Sequence, residues 1–301
     1  MAIVWGGWAM RDAYYGQRVG INVARSGSTF TVTYYVQTTG SVYYNGLTLN
    51  RTGAISSDVG FNWNTGGAEW HEVNQATYTG SPGGSYSFGA QVSLPWWGGS
   101  MSVSTSASVP ISKPSAPTSP TATRVSDNRI DLTWNYSSTS SAPVVADAVD
   151  RSDVTSGYES WARVASLNPA KKAWSDTSVQ MGRRYSYRVR TGNSAGDSAW
   201  TYFANVSTTP LPPTNVSAVK NADGSITVSW TPPTADYGTS FLVSDGATQV
   251  GTVGRDTTSW TDPTPSTSVT HTYTVRTYEA SGDLTSAASA PSNTVQLLAA
   301  P

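Results

Sequence analysis

Ile130-Asp131-Leu132-Thr133-Trp134 returns as Ile226-Thr227-Val228-Ser229-Trp230, 96 positions later, and Pro117 and Pro213 keep the same distance. In both stretches apolar side chains alternate with polar ones and a tryptophan closes the run, the period-2 signature of a half-buried strand. Toward the C terminus the interval shortens. Trp174 with Asp176 returns as Trp260 with Asp262, and Tyr187, Val189, Arg190 and Thr191 return as Tyr273, Val275, Arg276 and Thr277, all 86 positions apart. The second copy is therefore ten residues shorter, and the loss falls between the first tryptophan and Trp174. A repeat of this length, written in strands throughout, is a whole β-sandwich in tandem, because solenoid repeats are shorter.

Upstream of the repeat the alternation continues without the same motifs: Val19, Ile21, Val23; Val32, Tyr34, Val36; Tyr86, Phe88, Ala90, Val92, Leu94; Met101, Val103, Thr105, Ala107, Val109. Turns are expected at Ser26-Gly27-Ser28, Asn45-Gly46, Thr65-Gly66-Gly67 and Ser81-Pro82-Gly83-Gly84. Helical periodicity is nearly absent. The expected fold class is all-β, three tandem β-sandwiches over residues 1–112, 113–209 and 210–301. Ser112-Lys113-Pro114-Ser115-Ala116-Pro117 and Thr209-Pro210-Leu211-Pro212-Pro213 read as semi-rigid linkers, so a rod with limited bending is expected.

Composition narrows the functional classes. A formal net charge of −1, with 12% charged residues, supplies no field to hold a polyanion or an anionic bilayer, so neither nucleic acid nor membrane insertion is expected. No stretch approaches the length of a membrane span. Without cysteine, each core has to carry its own fold, and 12 Trp and 16 Tyr make that feasible.

Two resemblances become specific at this point. The repeats resemble fibronectin type III domains: prolines precede the first strand, Trp134 and Trp230 close the second, and Tyr185-Ser186-Tyr187-Arg188-Val189-Arg190 followed by Asn193-Ser194-Ala195-Gly196 matches the sixth strand and its turn. Tyr185 stands where that family places a tyrosine corner, a hydroxyl tied back to nearby backbone. The second copy has His271 there, and with less ring to bury it is expected to be the less stable of the two. Residues 1–112 resemble the N-terminal sandwich of actinobacterial tailed-phage minor tail proteins, in Arg18-Val19-Gly20-Ile21-Asn22-Val23 and Thr29-Phe30-Thr31-Val32-Thr33-Tyr34-Tyr35-Val36-Gln37-Thr38. Ala122-Thr123-Arg124-Val125-Ser126-Asp127-Asn128-Arg129-Ile130 is similar to the first strands of the type III modules that follow in such proteins.

The candidate contact residues are the six tryptophans of the first domain: Trp5, Trp8, Trp63, Trp70, Trp96 and Trp97. Each buries enough area on contact that an idle exposed ring is costly, so core, subunit interface or glycan platform are the readings left open. Adjacent strand residues face opposite ways, so Trp96 and Trp97 cannot both fill one core. Trp5-Gly6-Gly7-Trp8 reads either as a terminal strand docking on an assembly or as the first strand of the domain's own sheet. Glu69-Trp70-His71-Glu72 with Asp58, and Asp12 further upstream, supplies no convincing pair of carboxylates facing one sugar, so catalysis is not expected. His71 and His271 lie in different domains and no calcium-loop spacing occurs; neither metal nor cofactor is expected. Arg184, Arg188 and Arg190 share strand parity, with Asp147 and Asp150 as expected partners.

The resemblance implies a non-enzymatic virion structural protein of the tail or tail tip, docking by its first domain and projecting two type III modules toward the host surface. Its partners would be other virion proteins and further copies of itself, as a trimer or hexamer, with host cell-wall glycan as a further contact. Met1-Ala2-Ile3-Val4-Trp5 lacks the flanks of a signal peptide, so synthesis in the host cytoplasm and release in a particle are expected. A capsid decoration protein or head fibre, and a carbohydrate-binding accessory protein, are the alternatives.

Overall fold

In a computed structural model the protein is built of strands and turns, with no helix among the described residues. Those residues are 2–10, 16–65, 67–94, 98–234 and 237–297, less the side chains of 42–45, 64 and 65. The chain divides into two compact units, Met1–Ser112 with Thr139–Pro143, and Lys113–Ser138 with Val144–Pro301.

Among the described residues the first unit is a sandwich of nine strands. One sheet runs β1 (Val4–Trp5), β3 (Gly16–Ser26), β4 (Thr29–Thr38), β7 (Trp70–Thr79), with β2 (Ala9–Met10) also pairing β3. The other runs β6 (Val59–Thr65), β5 (Val42–Gly53), β8 (Ser85–Leu94), β9 (Gly99–Ser108). The alternating sets read from sequence form the core: Val19, Ile21, Phe30, Val32, Tyr34 and Val36 from one sheet meet Leu49, Phe88, Val92 and Met101 from the other. Gly27 adopts a positive φ in the two-residue turn that joins β3 to β4, as expected of that position. Asn45-Gly46 is not a turn. It lies inside β5, where the register on β6 shifts between Tyr44 and Leu47 and Gly46 takes φ 66°, so the pair forms a β-bulge.

The second unit holds the two repeats. In the first, β10 (Thr118–Ser126), β11 (Arg129–Asn135) and β14 (Ala173–Asp176) make one sheet. The other runs β13 (Ala162–Leu167), β12 (Ala146–Asp153), β15 (Arg184–Asn193), β16 (Gly196–Asp197), with β17 (Thr201–Tyr202) and β18 (Val206–Ser207) also on β15. In the second repeat β19 (Thr214–Lys220), β20 (Ile226–Thr231) and β23 (Ser259–Asp262) face a sheet in the order β22 (Thr248–Gly254), β21 (Ser240–Asp245), β25 (Tyr273–Glu279), β26 (Leu284–Thr285). A short pair, β24 (Thr270–His271) with β27 (Val295–Gln296), closes it. Three strands on four, in this order twice, make both repeats fibronectin type III-like sandwiches, and the whole chain is all-β.

The repeats agree down to single hydrogen bonds. Trp134, Tyr185, Trp230 and His271 are all buried. Tyr187 donates its hydroxyl to Asp176 at 2.9 Å, and Tyr273 donates to Asp262 at 3.0 Å. Tyr185 accepts the amide of Gln180 at 3.0 Å, the tie expected of a tyrosine corner. His271 also reaches a backbone group five residues upstream, with Nε2 at 2.7 Å from the Ser266 carbonyl. The corner therefore survives the exchange, with the bond reversed so that the side chain is the donor.

The length difference lies mainly in one connection. Between β12 and β13 the first repeat has the eight residues Val154–Trp161, where β21 and β22 are joined by Gly246-Ala247 alone. At the module junction the linker is tied down: Thr209 donates its amide to Asp127 at 2.7 Å, Tyr237 donates its hydroxyl to the Thr208 carbonyl, and Thr277 donates to the Leu211 carbonyl at 2.7 Å.

Candidate functional site

The outward face of the β1-β3-β4-β7 sheet carries an array of aromatic rings around one arginine. Because Val19 and Ile21 point inward, Arg18 and Gly20 point outward, as do Tyr35 and Gln37 beside Val36. Trp5 pairs Gly20 in register, and Gly20 in turn pairs Tyr35. A Cβ on Gly20 would sit 2.5 Å from the Trp5 ring, so the missing side chain lets that ring lie across β3 and approach Tyr35 at 6.4 Å. Tyr35 meets Trp70 edge to face at 5.3 Å. At Gly16 a Cβ would fall 2.5 Å from Met10 Sδ and 3.1 Å from the Trp8 ring, so this glycine makes room for both side chains. Between the two glycines the Arg18 guanidinium is held 4.6 Å from the Trp5 ring and 4.5 Å from the Trp8 ring, with Nε donating to Gln37 Oε1 at 2.8 Å.

The N-terminal segment is thus a strand of this unit's own sheet, the second of the two readings of Trp5-Gly6-Gly7-Trp8. Gly6 donates its amide to the Val19 carbonyl at 2.9 Å, and a Cβ on it would fall 1.9 Å from the Ser102 carbonyl oxygen. Only glycine fits between β3 and β9 here. A groove of about 540 Å³ beside it is lined by Trp5, Thr52, Gln91, Ser102 and Ser104, among others.

The six tryptophans separate by environment. Trp63 is 2% exposed and belongs to the core, which removes it from the contact candidates; its place on β6 points it between the sheets. Trp70 is 53% exposed and Trp8 39% exposed. Trp5 is half-buried within the array. Trp96 and Trp97 lie outside the described residues. Glu69 and Glu72 are exposed, His71 Nε2 sits 3.1 Å from Glu69, and Asp58 is exposed on the connection before β6. Asp12 lies outside the described residues. Among the described residues no three His, Asp or Glu side chains come together to hold a metal ion.

A second aromatic and arginine array lies on the first repeat, and the sequence reading missed its rings. The Arg188 guanidinium is 4.6 Å from Trp161 and 4.3 Å from Trp200, and Arg190 is 4.5 Å from Trp200. Asp150 accepts from Arg188 at 2.9 Å and from Arg163 at 2.5 Å, so its expected pairing holds. Asp147 does not join the stripe. Three positions from Asp150, it has the opposite parity, points inward, is 2% exposed, and accepts the Lys171 amide at 2.6 Å. Arg190 pairs Asp197 instead, at 2.7 Å.

No family model matches this chain, and no curated protein matches it. Among solved structures, a two fibronectin type III domain segment from chicken tenascin covers 60% of this chain and 99% of its own length, at 17% identity and a TM-score of 0.37. The type III character of the repeats is carried by their strand order and shared hydrogen bonds.

Proposed function

We propose that this protein is a non-enzymatic structural component of a tailed-phage virion, in the tail or tail tip, which docks through the outward aromatic face of its first sandwich and carries two type III modules. The observation that carries the docking role is the Trp8, Arg18, Trp5, Tyr35 and Trp70 array. Its two outer rings are exposed while its inner members are locked by the chain's own N-terminal strand. A rigid, pre-arranged aromatic and arginine patch is the composition of a contact centre, since little side-chain freedom remains to be lost on association. The resemblance of residues 1–112 to minor tail proteins supplies the virion assignment. Labelling intact particles with an antibody raised against residues 210–301 tests it; the expected label is on the tail. Label on the head converts the reading to a decoration protein or head fibre, and particles without label sink it.

A second reading is favoured by one observation. Trp70 is exposed, and the groove beside Trp5, at the other edge of the same sheet, is lined by hydroxyl and amide groups suited to sugar hydroxyls. A cell-wall glycan is the contact that this reading assigns. Pull-down on purified walls with the wild type and Trp70→Ala separates the two, because only the glycan reading expects the variant to lose wall binding.

A further inference from the structure

On the outward face of the β13-β12-β15 sheet, Ala148 and Gly192 leave a hollow whose counterpart in the second repeat is filled. Register fixes the comparison: Ala148 pairs Arg190 and Ala146 pairs Gly192, while Leu242 pairs Arg276 and Ser240 pairs Tyr278. Arg190 and Arg276 are equivalent in the repeat, so Leu242 stands in the place of Ala148 and Tyr278 in that of Gly192. Where one module has two large side chains, the other has a methyl group and a hydrogen atom. The space so opened is about 170 Å³, with Ala146, Ala148 and Gly192 as its floor and Arg163, Ser166, Arg190 and Asp197 around it. Asp147 and Thr191 also border it, but from the opposite parity: the Asp147 carboxylate accepts the Lys171 amide, and the Thr191 hydroxyl donates to the Ser115 carbonyl.

The polar groups around the floor are held in place before any ligand arrives. Arg190 has its Nη2 2.7 Å from Asp197 Oδ2 and its guanidinium 4.5 Å from the Trp200 ring. Asp197 Oδ1 lies over Gly192, 2.6 Å from where a Cβ would sit, so the missing side chain is what admits this acceptor. Arg163 gives its Nε to Asp150 at 2.5 Å, and its terminal nitrogens meet no acceptor among the described residues. Ser166, the cross-strand partner of Ala148, is exposed. Little side-chain freedom is left at Arg190 and Asp197 to be lost on binding.

We infer that this hollow binds a single neutral sugar ring, with Arg163 and Ser166 as donors, Asp197 as acceptor and the alanine methyls against a C–H face of the ring. A sugar hydroxyl both donates and accepts, so neighbouring hydroxyls match a site that offers donors and a carboxylate together. A small apolar floor with a few placed polar groups is the composition of a small-molecule site. An anion fits poorly, because both guanidinium groups already hold carboxylates and Asp197 borders the space. The site shares no residue with the aromatic face of the first sandwich, so it stands or falls independently of the virion assignment and of the Trp70 reading.

NMR titration of the full chain with the methyl glycosides of glucose, galactose and mannose, and with sodium acetate, tests the inference through the Trp200 indole and Arg190 Nε–H signals. At least one glycoside is expected to shift both signals saturably, with a Kd of roughly millimolar order for so small a ligand. Ala148→Leu installs the second repeat's own residue on the outward face and is expected to abolish the shifts. Ser166→Ala, at an exposed position, is expected to weaken binding about three- to tenfold, as for one lost hydrogen bond. The inference is overturned if no glycoside moves the two signals, if acetate moves them as strongly, or if a folded Ala148→Leu and Ser166→Ala both respond like the wild type. Shifts confined to the Trp70 indole also overturn it, while leaving the glycan reading of the first sandwich in place.

Discussion

His271 Nδ1 lies 2.6 Å from Asp245 Oδ2, and these two residues occupy the positions that Tyr185 and Arg151 hold in the first repeat. Register fixes the equivalence, because Arg151 pairs Tyr187 and Asp245 pairs Tyr273. In the first repeat the cation is Arg151, 2.8 Å from Asp176 and 5.1 Å from the Tyr185 ring. In the second the acid stands at the arginine's place and the histidine at the tyrosine's. The cation has moved to the facing strand. Both ring nitrogens of His271 face acceptors, the Ser266 carbonyl and the Asp245 carboxylate, and an imidazole donates at both only when protonated.

This makes the second repeat pH-sensitive. Burial pulls the His271 pKa down, but the Ser266 carbonyl and Asp245, with Asp262 further off, hold it above the ordinary value. A raised folded pKa gives stabilisation that is complete below the unfolded value of about 6.5 and is lost as pH rises through the folded value. The stabilisation belongs to the protonated ring, which donates to both acceptors. Thermal unfolding followed across this range is expected to show the loss, and His271→Phe to flatten it; an unaltered profile in the variant removes histidine from the explanation.

Asp147 works in the same pH direction by another route. Burial pushes its carboxyl up to about 6, against the pull of the Lys171 amide and Trp134. A carboxyl whose folded pKa is raised destabilises the fold increasingly as pH climbs from about 3.9 through 6, so Asp147→Asn is expected to stabilise the protein at neutral pH. The gain is about 2–3 kcal/mol at 1.36 kcal/mol per pKa unit, and it vanishes near pH 4. Urea denaturation at the two pH values measures it. A loss of stability at neutral pH would show that the carboxylate is needed charged.

Gly20→Ala places a methyl where the Trp5 ring lies. We expect a cost of about 1–3 kcal/mol from the clash, and a change in tryptophan fluorescence as the N-terminal strand loosens. Gly60→Ala serves as the control, since its nearest neighbour is the Leu47 carbonyl oxygen at 3.9 Å. Equal behaviour of the two variants would contradict the close approach.

Trp63 and Trp70 are expected to part company in mutagenesis. Trp63→Ala removes a core ring and costs about 3–5 kcal/mol, whereas Trp70→Ala changes stability by about 1 kcal/mol or less and, under the proposed docking role, lowers incorporation into particles. Chemical denaturation and quantification of the protein in purified particles read the two effects. A Trp70 variant that assembles at the wild-type level excludes this ring from the docking contact.

Much of the fold is legible in the sequence. Strand alternation gave much of the core of the first sandwich, since Val19, Ile21, Val32, Val36 and Val92 obey a period of two that only one burial pattern satisfies. Other features were hidden because their signals are not local. Asn45-Gly46 has turn composition but sits in a bulge, a choice made by pairing with β6. Asp147 differs from Asp150 only in parity, a rule that was available and settles which of them meets the arginines. Trp161 and Trp200 gave no cue of their own, because their contacts with Arg188 depend on strands brought together across the sheet.

By itself the sequence determined the strand periods, the doubled sandwich and the equivalence of Tyr187 with Tyr273, because hydrophobic alternation and repeat spacing are written along the chain. Which tryptophans face solvent, which glycines carry a ring above them and which acids the arginines meet were decided only by the tertiary structure. Those properties arise between strands distant in sequence, where register and packing set the distances on which ring stacking, burial and charge pairing depend.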